Sequence, residues 1–311
     1  MGRIAVITNP HAKGNRSHPD RAARLASILG DRGAVFETTR LDQIADVCRE
    51  ALAMEPDLLC FCGGDGTNHL VLSALIPACR QAGRALPALH FLRGGSMNTV
   101  GWSIGLRCTA EKALAKIVEL HGAGRAFPTT RLGTLAVDGR HGFLFGDGYA
   151  FHFLEEYYAA TADSGPRRAM EIVSKAITAT VTGGDFLARL SRTVTGRLAV
   201  DGREIGFPAY GMILAGFTEY LGVGFKSLYR AREREGFFHV VATALPPMRI
   251  LAQLHRFFTG KPLQGKDHFD ALARELVFEA PEPEGYFLDG ELYAARELVI
   301  TPGPVVEVAV V

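Results

Sequence analysis

The chain has 311 residues, 48% of them hydrophobic, enough to bury a large core and, by length, to form about two domains. Its formal charge is +1, so no global field draws it to nucleic acid. Five cysteines, odd in number and confined to the first 108 residues, come with no second Cys/His pair at zinc spacing; this argues for a reduced, cytosolic protein rather than a disulfide scaffold or zinc module.

Met1–Ile7 is too short an apolar run for a signal peptide, and Ile4–Thr8 already reads as a strand. Nowhere do 18 uncharged apolar residues run together, and stretches such as Ala209–Phe217 are too short to span a bilayer. The first third then alternates. Asp20–Leu29 is a helix with apolar positions at Ala23, Leu25, Ala26 and Leu29; Ala34–Glu37 is a strand and Leu41–Met54 a helix. Leu58–Cys62 is a strand whose unbroken apolar run suits burial on both faces. Asn68–Gln81 continues as a helix, Ala88–Leu92 as a fourth strand and Thr109–His121 as a further helix. This rhythm predicts an α/β domain over residues 1–124 with an open, mostly parallel sheet.

From about Arg125 the pattern changes, and residues 125–311 read as a mainly antiparallel β-sandwich with helical inserts. Asp138-Gly139, Asp201-Gly202 and Asp289-Gly290 each stand between strand-like segments, which is the signal of a two-residue hairpin. Further strands are expected at Phe143–Gly146, Tyr210–Ala215, Phe238–Ala242, Leu276–Phe278 and Leu298–Thr301. Helical inserts are expected over Glu155–Arg192 and Met248–Phe258. The active cleft is expected between the two domains.

Three loops follow the predicted parallel strands. Gly63-Gly64-Asp65-Gly66-Thr67 leads into a helix whose N-terminus favours anions, and its glycines let backbone amides approach a phosphate. Asp65, the one acid there, suits the holding of a metal ion beside phosphates. Arg93-Gly94-Gly95-Ser96-Met97-Asn98-Thr99 repeats that placement, and Asn9-Pro10-His11-Ala12-Lys13-Gly14-Asn15 supplies a third loop. No GxxxxGK[ST] and no GxGxxG after the first strand exist, which excludes a P-loop NTPase and weighs against a dinucleotide-binding Rossmann site.

The set Asn9-Pro10-x-Ala12-x-Gly14, Gly63–Thr67, Gly95-Ser96-x-Asn98 and Asp289-Gly290-Glu291 resembles the diacylglycerol kinase catalytic family, which includes soluble bacterial lipid kinases and relatives of sphingosine and ceramide kinases. The resemblance implies an ATP- and Mg²⁺-dependent kinase acting on a hydroxyl of a diacylglycerol-like or sphingoid-like lipid. It implies ATP contacts from Asn9, Thr39 (or the adjacent Thr38), Gly63, Gly64, Asp65, Gly66, Thr67, Gly95, Ser96 and Asn98. Asp65 would lie beside the catalytic Mg²⁺, Glu291 would accept the lipid hydroxyl's proton, and Asp289 would be a phosphate- or metal-side acid. Glu235 stands where the family has the Asp of an accessory metal site.

The chain departs from the family's P-x-G-T-x-N-D pattern at Arg93, Ser96 and Thr99, and it matches only in part at Phe145–Tyr149. By residue chemistry alone Asp289-Gly290-Glu291 is a turn, and the glycine motif itself is shared with NAD kinases, so an NAD kinase-like enzyme and a non-catalytic nucleotide- or lipid-binding protein stay open. The expected partner is a lipid at the membrane surface, for a cytoplasmic, peripheral protein whose oligomeric state, a homodimer included, is open. Pro247–Phe258, read as one amphipathic helix, is expected to bury its apolar face against the sandwich, with contact to an anionic membrane as the alternative; the stretch from Tyr157-Tyr158 to Arg167-Arg168 is an equal candidate for meeting lipid.

Overall fold

The computed structural model describes residues 3–159, 165–182 and 185–311. In chain order the elements are β1 (Ile4–Thr8), α1 (Lys13–Arg16), α2 (Arg21–Leu29), β2 (Gly33–Glu37), α3 (Ile44–Ala53), β3 (Leu58–Gly63), α4 (Asp65–Gln81), β4 (Ala88–Arg93), α5 (Thr99–Ser103), α6 (Ala110–Gly122) and β5 (Thr129–Leu132). There follow β6 (Leu135–Val137), β7 (Arg140–Gly142), β8 (Leu144–Gly148), α7 (Tyr149–Ala159), α8 (Pro166–Thr182), α9 (Asp185–Leu190), β9 (Arg197–Val200), β10 (Arg203–Ile205), β11 (Met212–Gly216) and β12 (Phe238–Thr243). The chain ends with α10 (Pro247–Leu251), α11 (Leu254–Thr259), β13 (His268–Ala273), β14 (Leu276–Leu288), β15 (Glu291–Pro302) and β16 (Val306–Ala309).

Two compact units result, Met1–Leu132 with Pro304–Val311, and Gly133–Gly303. The division expected at residue 124 differs from this in two ways: β5 belongs to the first unit, and so does the last strand, β16. Both are short, and β16 returns to the first sheet from far along the chain, so no local pattern announces it.

The first unit is a six-stranded sheet in the order β2-β1-β3-β4-β16-β5, parallel throughout except between β16 and β5. Every residue of β1 and β3 is buried, as expected for central strands covered on both faces. Cys60 and Cys62 point into the same cluster as Leu25, Leu29, Leu114 and Ile117, which are core positions of α2 and α6. The His90 ring bonds the Ala309 carbonyl at 2.8 Å and so ties β16 to β4.

The second unit is an antiparallel sheet system in the order β13-β12-β11-β8-β14-β15-β6-β7, with β9 and β10 attached through β14. All three Asp–Gly dipeptides close two-residue hairpins, joining β6 to β7, β9 to β10 and β14 to β15, with Asp138, Asp201 and Asp289 at φ 48°, 48° and 49°. Positive φ at both turn residues is the type I′ requirement, and Gly139, Gly202 and Gly290 satisfy it without strain.

Strands β14 and β15 are far longer than their sequence suggests. Glu279–Glu284 carries Pro281 and Pro283, which remove ladder donors, and the chain absorbs them in a register shift between Glu279 and Glu284. On one side of that shift β14 pairs with β9, and on the other with β8, so the sheet bends there. The α7–α9 insert begins at Tyr149, earlier than expected; its residues 160–164 and 183–184, including part of the Tyr157–Arg168 stretch, lie outside the described residues. Pro247–Phe258 is two short helices broken at Gln253, not one amphipathic rod.

Candidate active site

In the first unit the loops after β1, β3 and β4 leave the carboxyl ends of adjacent parallel strands and are interlocked. Asn9 Nδ2 donates to Thr67 Oγ1 at 3.0 Å, while Asn9 Oδ1 accepts the His11 amide at 2.8 Å. The Gly94 amide donates to the Gly63 carbonyl at 2.9 Å. Three glycines are required by these contacts. A Cβ on Gly95 would lie 2.3 Å from the Gly64 Cα, one on Gly14 2.6 Å from the Gly94 carbonyl oxygen, and one on Gly63 2.4 Å from the Thr67 side chain.

The residue that sequence reading passed over is Asn15. Buried in α1 at the end of the first loop, it donates from Nδ2 to the carbonyls of Asn9 at 2.7 Å and Cys62 at 2.9 Å. Its amide donates to the Gly94 carbonyl at 3.1 Å, and its Oδ1 accepts from Arg21 Nη1 at 2.9 Å. One residue, through its side chain and its backbone amide together, thus fastens all three loops, and Arg21, itself paired with Glu111 at 3.2 Å, holds that side chain. Its only signal in the sequence is a polar residue followed by a helical pattern.

Asp65 opens α4 directly after Gly64, whose backbone caps the helix without a side chain. Its two carboxylate oxygens accept the amides of Thr99 at 2.9 Å and Val100 at 3.0 Å, the first residues of α5. Burial raises its pKa, and the Val100 and Thr99 amides pull it back. Asp65 therefore clasps the second glycine loop to the third. Asn98, at φ 50°, closes its own turn by exchanging hydrogen bonds with Gly95 (3.1 and 2.9 Å). Gly66 and Ser96 are half-buried at the same strand ends.

Of the two threonines after β2, Thr38 is buried and bonds the Thr8 carbonyl through both its amide (2.9 Å) and its hydroxyl (3.3 Å). Thr39 is exposed, its hydroxyl donating to Gln43 Oε1 and its carbonyl bonding the His11 ring at 3.0 Å. The sequence left this pair open. Thr39 is the one accessible to a ligand.

In the second unit the three turn aspartates differ sharply. Asp138 is exposed and pairs with Arg140, and Asp201 caps the Arg274 and Glu275 amides at the surface. Asp289 is 3% exposed, and its two oxygens accept the amides of Phe143 and Leu144, each at 2.9 Å. It anchors the β14–β15 turn to the strand beside it. Glu291, the first residue of β15, is half-buried, its side chain makes no hydrogen bond or ion pair among the described residues, and burial raises its pKa.

A further acid shares its sheet face. Asp147 pairs in register with Tyr286, and Leu288 with Glu291, so the two-residue pleat sets Asp147, Glu284 and Glu291 on one side. Asp147 is 1% exposed, and its Oδ2 is buried without a partner. Burial raises its pKa to about 7, with the Gly148 amide opposing and Glu284 adding to the rise.

Glu235 is exposed in the loop before β12, next to Gly236 at φ 76°. Among the described residues no three His, Cys, Asp or Glu side chains are grouped to hold a metal ion. Behind this loop lies a different network. Asp270 takes His239 Nε2 at 3.0 Å and Tyr229 Oη at 2.9 Å, and pairs with Arg230 at 3.5 Å, while Arg230 also grips Glu233 at 2.8 Å. No helix among the described residues is long and apolar enough to cross a membrane.

A family model for the diacylglycerol kinase catalytic domain matches residues 3–125, the segment that carries all three loops. No curated protein sequence matches the chain significantly. A solved structure of a candidate diacylglycerol kinase from Bacillus anthracis str. Sterne shares the fold with a TM-score of 0.71 at 18% identity, over 99% of this chain and 96% of that one. A structure described as a diacylglycerol kinase from the same organism gives 0.64 at 17% identity over the same shares. At such identities the likeness establishes the two-unit architecture. Residues 3–125 thus match the diacylglycerol kinase catalytic domain model, on a chain whose fold is similar to those structures over nearly its whole length.

Proposed function

We propose that this protein is an ATP- and Mg²⁺-dependent lipid kinase that transfers the γ-phosphate to a hydroxyl of a diacylglycerol-like or sphingoid-like acceptor. The observation that carries the reading is the interlocking of three loops at the ends of β1, β3 and β4, with amides in the first turn of α4 left without a side-chain cap. Phosphoryl transfer asks chiefly for charge neutralisation and alignment, and such amides supply both. Asn9, Thr39, Gly63–Thr67, Gly95 and Ser96 line the triphosphate; Asn98 acts by shaping its turn.

The donor set suits a phosphate-borne magnesium ion. Mg²⁺ is held in such sites by substrate phosphates, waters and one or two carboxylates. Asp65 is the one acid in the three loops, and its carboxylate stands at the N-terminal end of α4 beside the second and third loops. When bound, the ion neutralises charge on the transferred phosphate.

Glu291 accepts the proton of the attacking hydroxyl. A half-buried, unpartnered carboxyl with a raised pKa is suited to that task. Asp289 is a positioning residue, since both its oxygens hold the turn from which Glu291 projects. The test is transfer of labelled phosphate from ATP over a panel of lipid alcohols, with NAD included as acceptor. Glu291→Gln is expected to lower kcat about 10²–10⁴-fold with ATP affinity unchanged. Activity is expected to rise with pH through the range of that raised carboxyl, because the base acts ionised. ATP binding with no transfer to any lipid, or transfer to NAD instead, overturns the reading.

A further inference from the structure

The segment from Pro246 to Lys266 contains Arg249, His255, Arg256, Lys261 and Lys266 and no aspartate or glutamate. Elsewhere cations are commonly paired, as in Arg21–Glu111, Arg84–Glu55, Arg197–Glu204, Lys226–Glu219 and Arg230–Glu233. None of the five in this segment forms an ion pair among the described residues.

Local bonds tie the backbone of this segment together. The Gln253 side chain donates to the carbonyls of Arg249 and Gln264, each at 3.1 Å, and accepts the Gln264 amide at 2.7 Å. Arg256 Nε donates to the Pro262 carbonyl at 2.5 Å. The break at Gln253 therefore folds α10, α11 and the following loop into a single basic platform.

Its apolar side chains divide. Ile250 and Phe257 are buried beneath it, whereas Met248 is 52% and Phe258 48% exposed. The Phe258 ring lies against Phe225, with centroids 4.6 Å apart. Two large exposed apolar groups on a segment that carries basic residues and no acid match the chemistry of an anionic membrane interface.

We propose that this platform is the surface by which the protein docks on an anionic lipid bilayer. Met248 and Phe258 enter the headgroup region, and Arg249, Lys261 and Lys266 face lipid phosphates. The proposal rests on the lipid-kinase reading for its purpose, and its readout is binding without turnover.

The test is co-sedimentation of the full chain with vesicles of phosphatidylcholine alone and of phosphatidylcholine mixed with phosphatidylglycerol. Wild type is expected to pellet with the mixed vesicles only, and to be released by salt as charge screening requires. The triple variant R249E/K261E/K266E and the double variant M248S/F258S are each expected to lower partitioning at least about tenfold. All five positions are exposed or outside the core, so thermal melts should be unchanged, and turnover of a short-chain acceptor in free solution should match wild type. Failure of wild type to pellet with anionic vesicles, or equal pelleting of the variants, overturns the proposal. So does a lipid-free dimer of wild type, seen by velocity sedimentation, that both variants dissolve, because the surface then meets a second copy of this chain. Vesicle binding without phosphate transfer to any lipid would sink the kinase reading and leave the docking surface standing.

Discussion

Asp65→Asn separates the clasp this carboxylate forms on the Thr99 and Val100 amides from the role proposed for it beside magnesium. Asparagine keeps the size of the side chain but gives up one acceptor, so its amide NH₂ must face the backbone N–H of either Thr99 or Val100. One charge-assisted bond becomes neutral, the other is lost, and a donor is left unpaired. With charged hydrogen bonds worth about 1.5–3 kcal/mol and an unsatisfied donor costing about 1–3 kcal/mol, the variant should be destabilised by roughly 2–5 kcal/mol. For a protein of this size that is a fall in Tm of roughly 5–15 °C. The assay is thermal unfolding followed by circular dichroism, with nucleotide binding by calorimetry on the same samples. Loss of turnover alone does not discriminate, because a residue that only touched Mg²⁺ and phosphate would show it too. A variant that melts within a degree of wild type while losing activity would refute the clasp between the second and third loops.

Three other outcomes follow from the geometry. Gly95→Ala drives a methyl group into the Gly64 backbone, so ATP affinity should fall at least about tenfold, readable by calorimetry, while the core is untouched. Asp147→Asn should raise stability at alkaline pH. With a native pKa of about 7 against an ordinary 3.8, wild type keeps its full stability below about pH 4 and loses about 4 kcal/mol as pH climbs through 7, a slope that denaturant titrations at several pH values should find absent in the variant. Asp270→Asn should behave oppositely. Burial alone would raise Asp270, but its bonds to His239, His268 and Tyr229 hold it far below the carboxylate range, so its contribution is present at neutral pH and lost on acidification. The variant should cost about 3–5 kcal/mol at pH 7 in a urea melt.

The parallel half of the fold was legible because its strands are short, apolar and bounded by glycine or turn residues. Ile4–Thr8 has no polar alternation for the reason the sheet later supplies: nothing in it faces water. The three Asp–Gly turns were equally plain, since a two-residue loop with both φ positive admits few other sequences. What the same motif could not reveal is that its aspartates have unlike duties. Asp138 and Asp289 occupy the same turn position after an aliphatic residue and before glycine, and what sets their duties apart is that the Phe143 and Leu144 amides, remote in sequence from Asp289, arrive beside it. Asn15 was missed on the same grounds, its partners being Cys62 and Gly94. Long β14 and β15 were shortened in the sequence reading by Pro281 and Pro283, whose cost is absorbed in a register shift that propensity does not register. His268–Ala273 was passed over because Asp270 interrupts it, yet that acid is satisfied by His239 on the neighbouring strand.

The placement of β16 between β4 and β5 bears on how this molecule comes into being. A ribosome releases β4 and β5 long before the strand that must lie between them, so for most of synthesis both carry open ladder positions. The first unit then matures last, after the lobe encoded in its interior, and a chain stalled before Val306 would offer those edges to its neighbours.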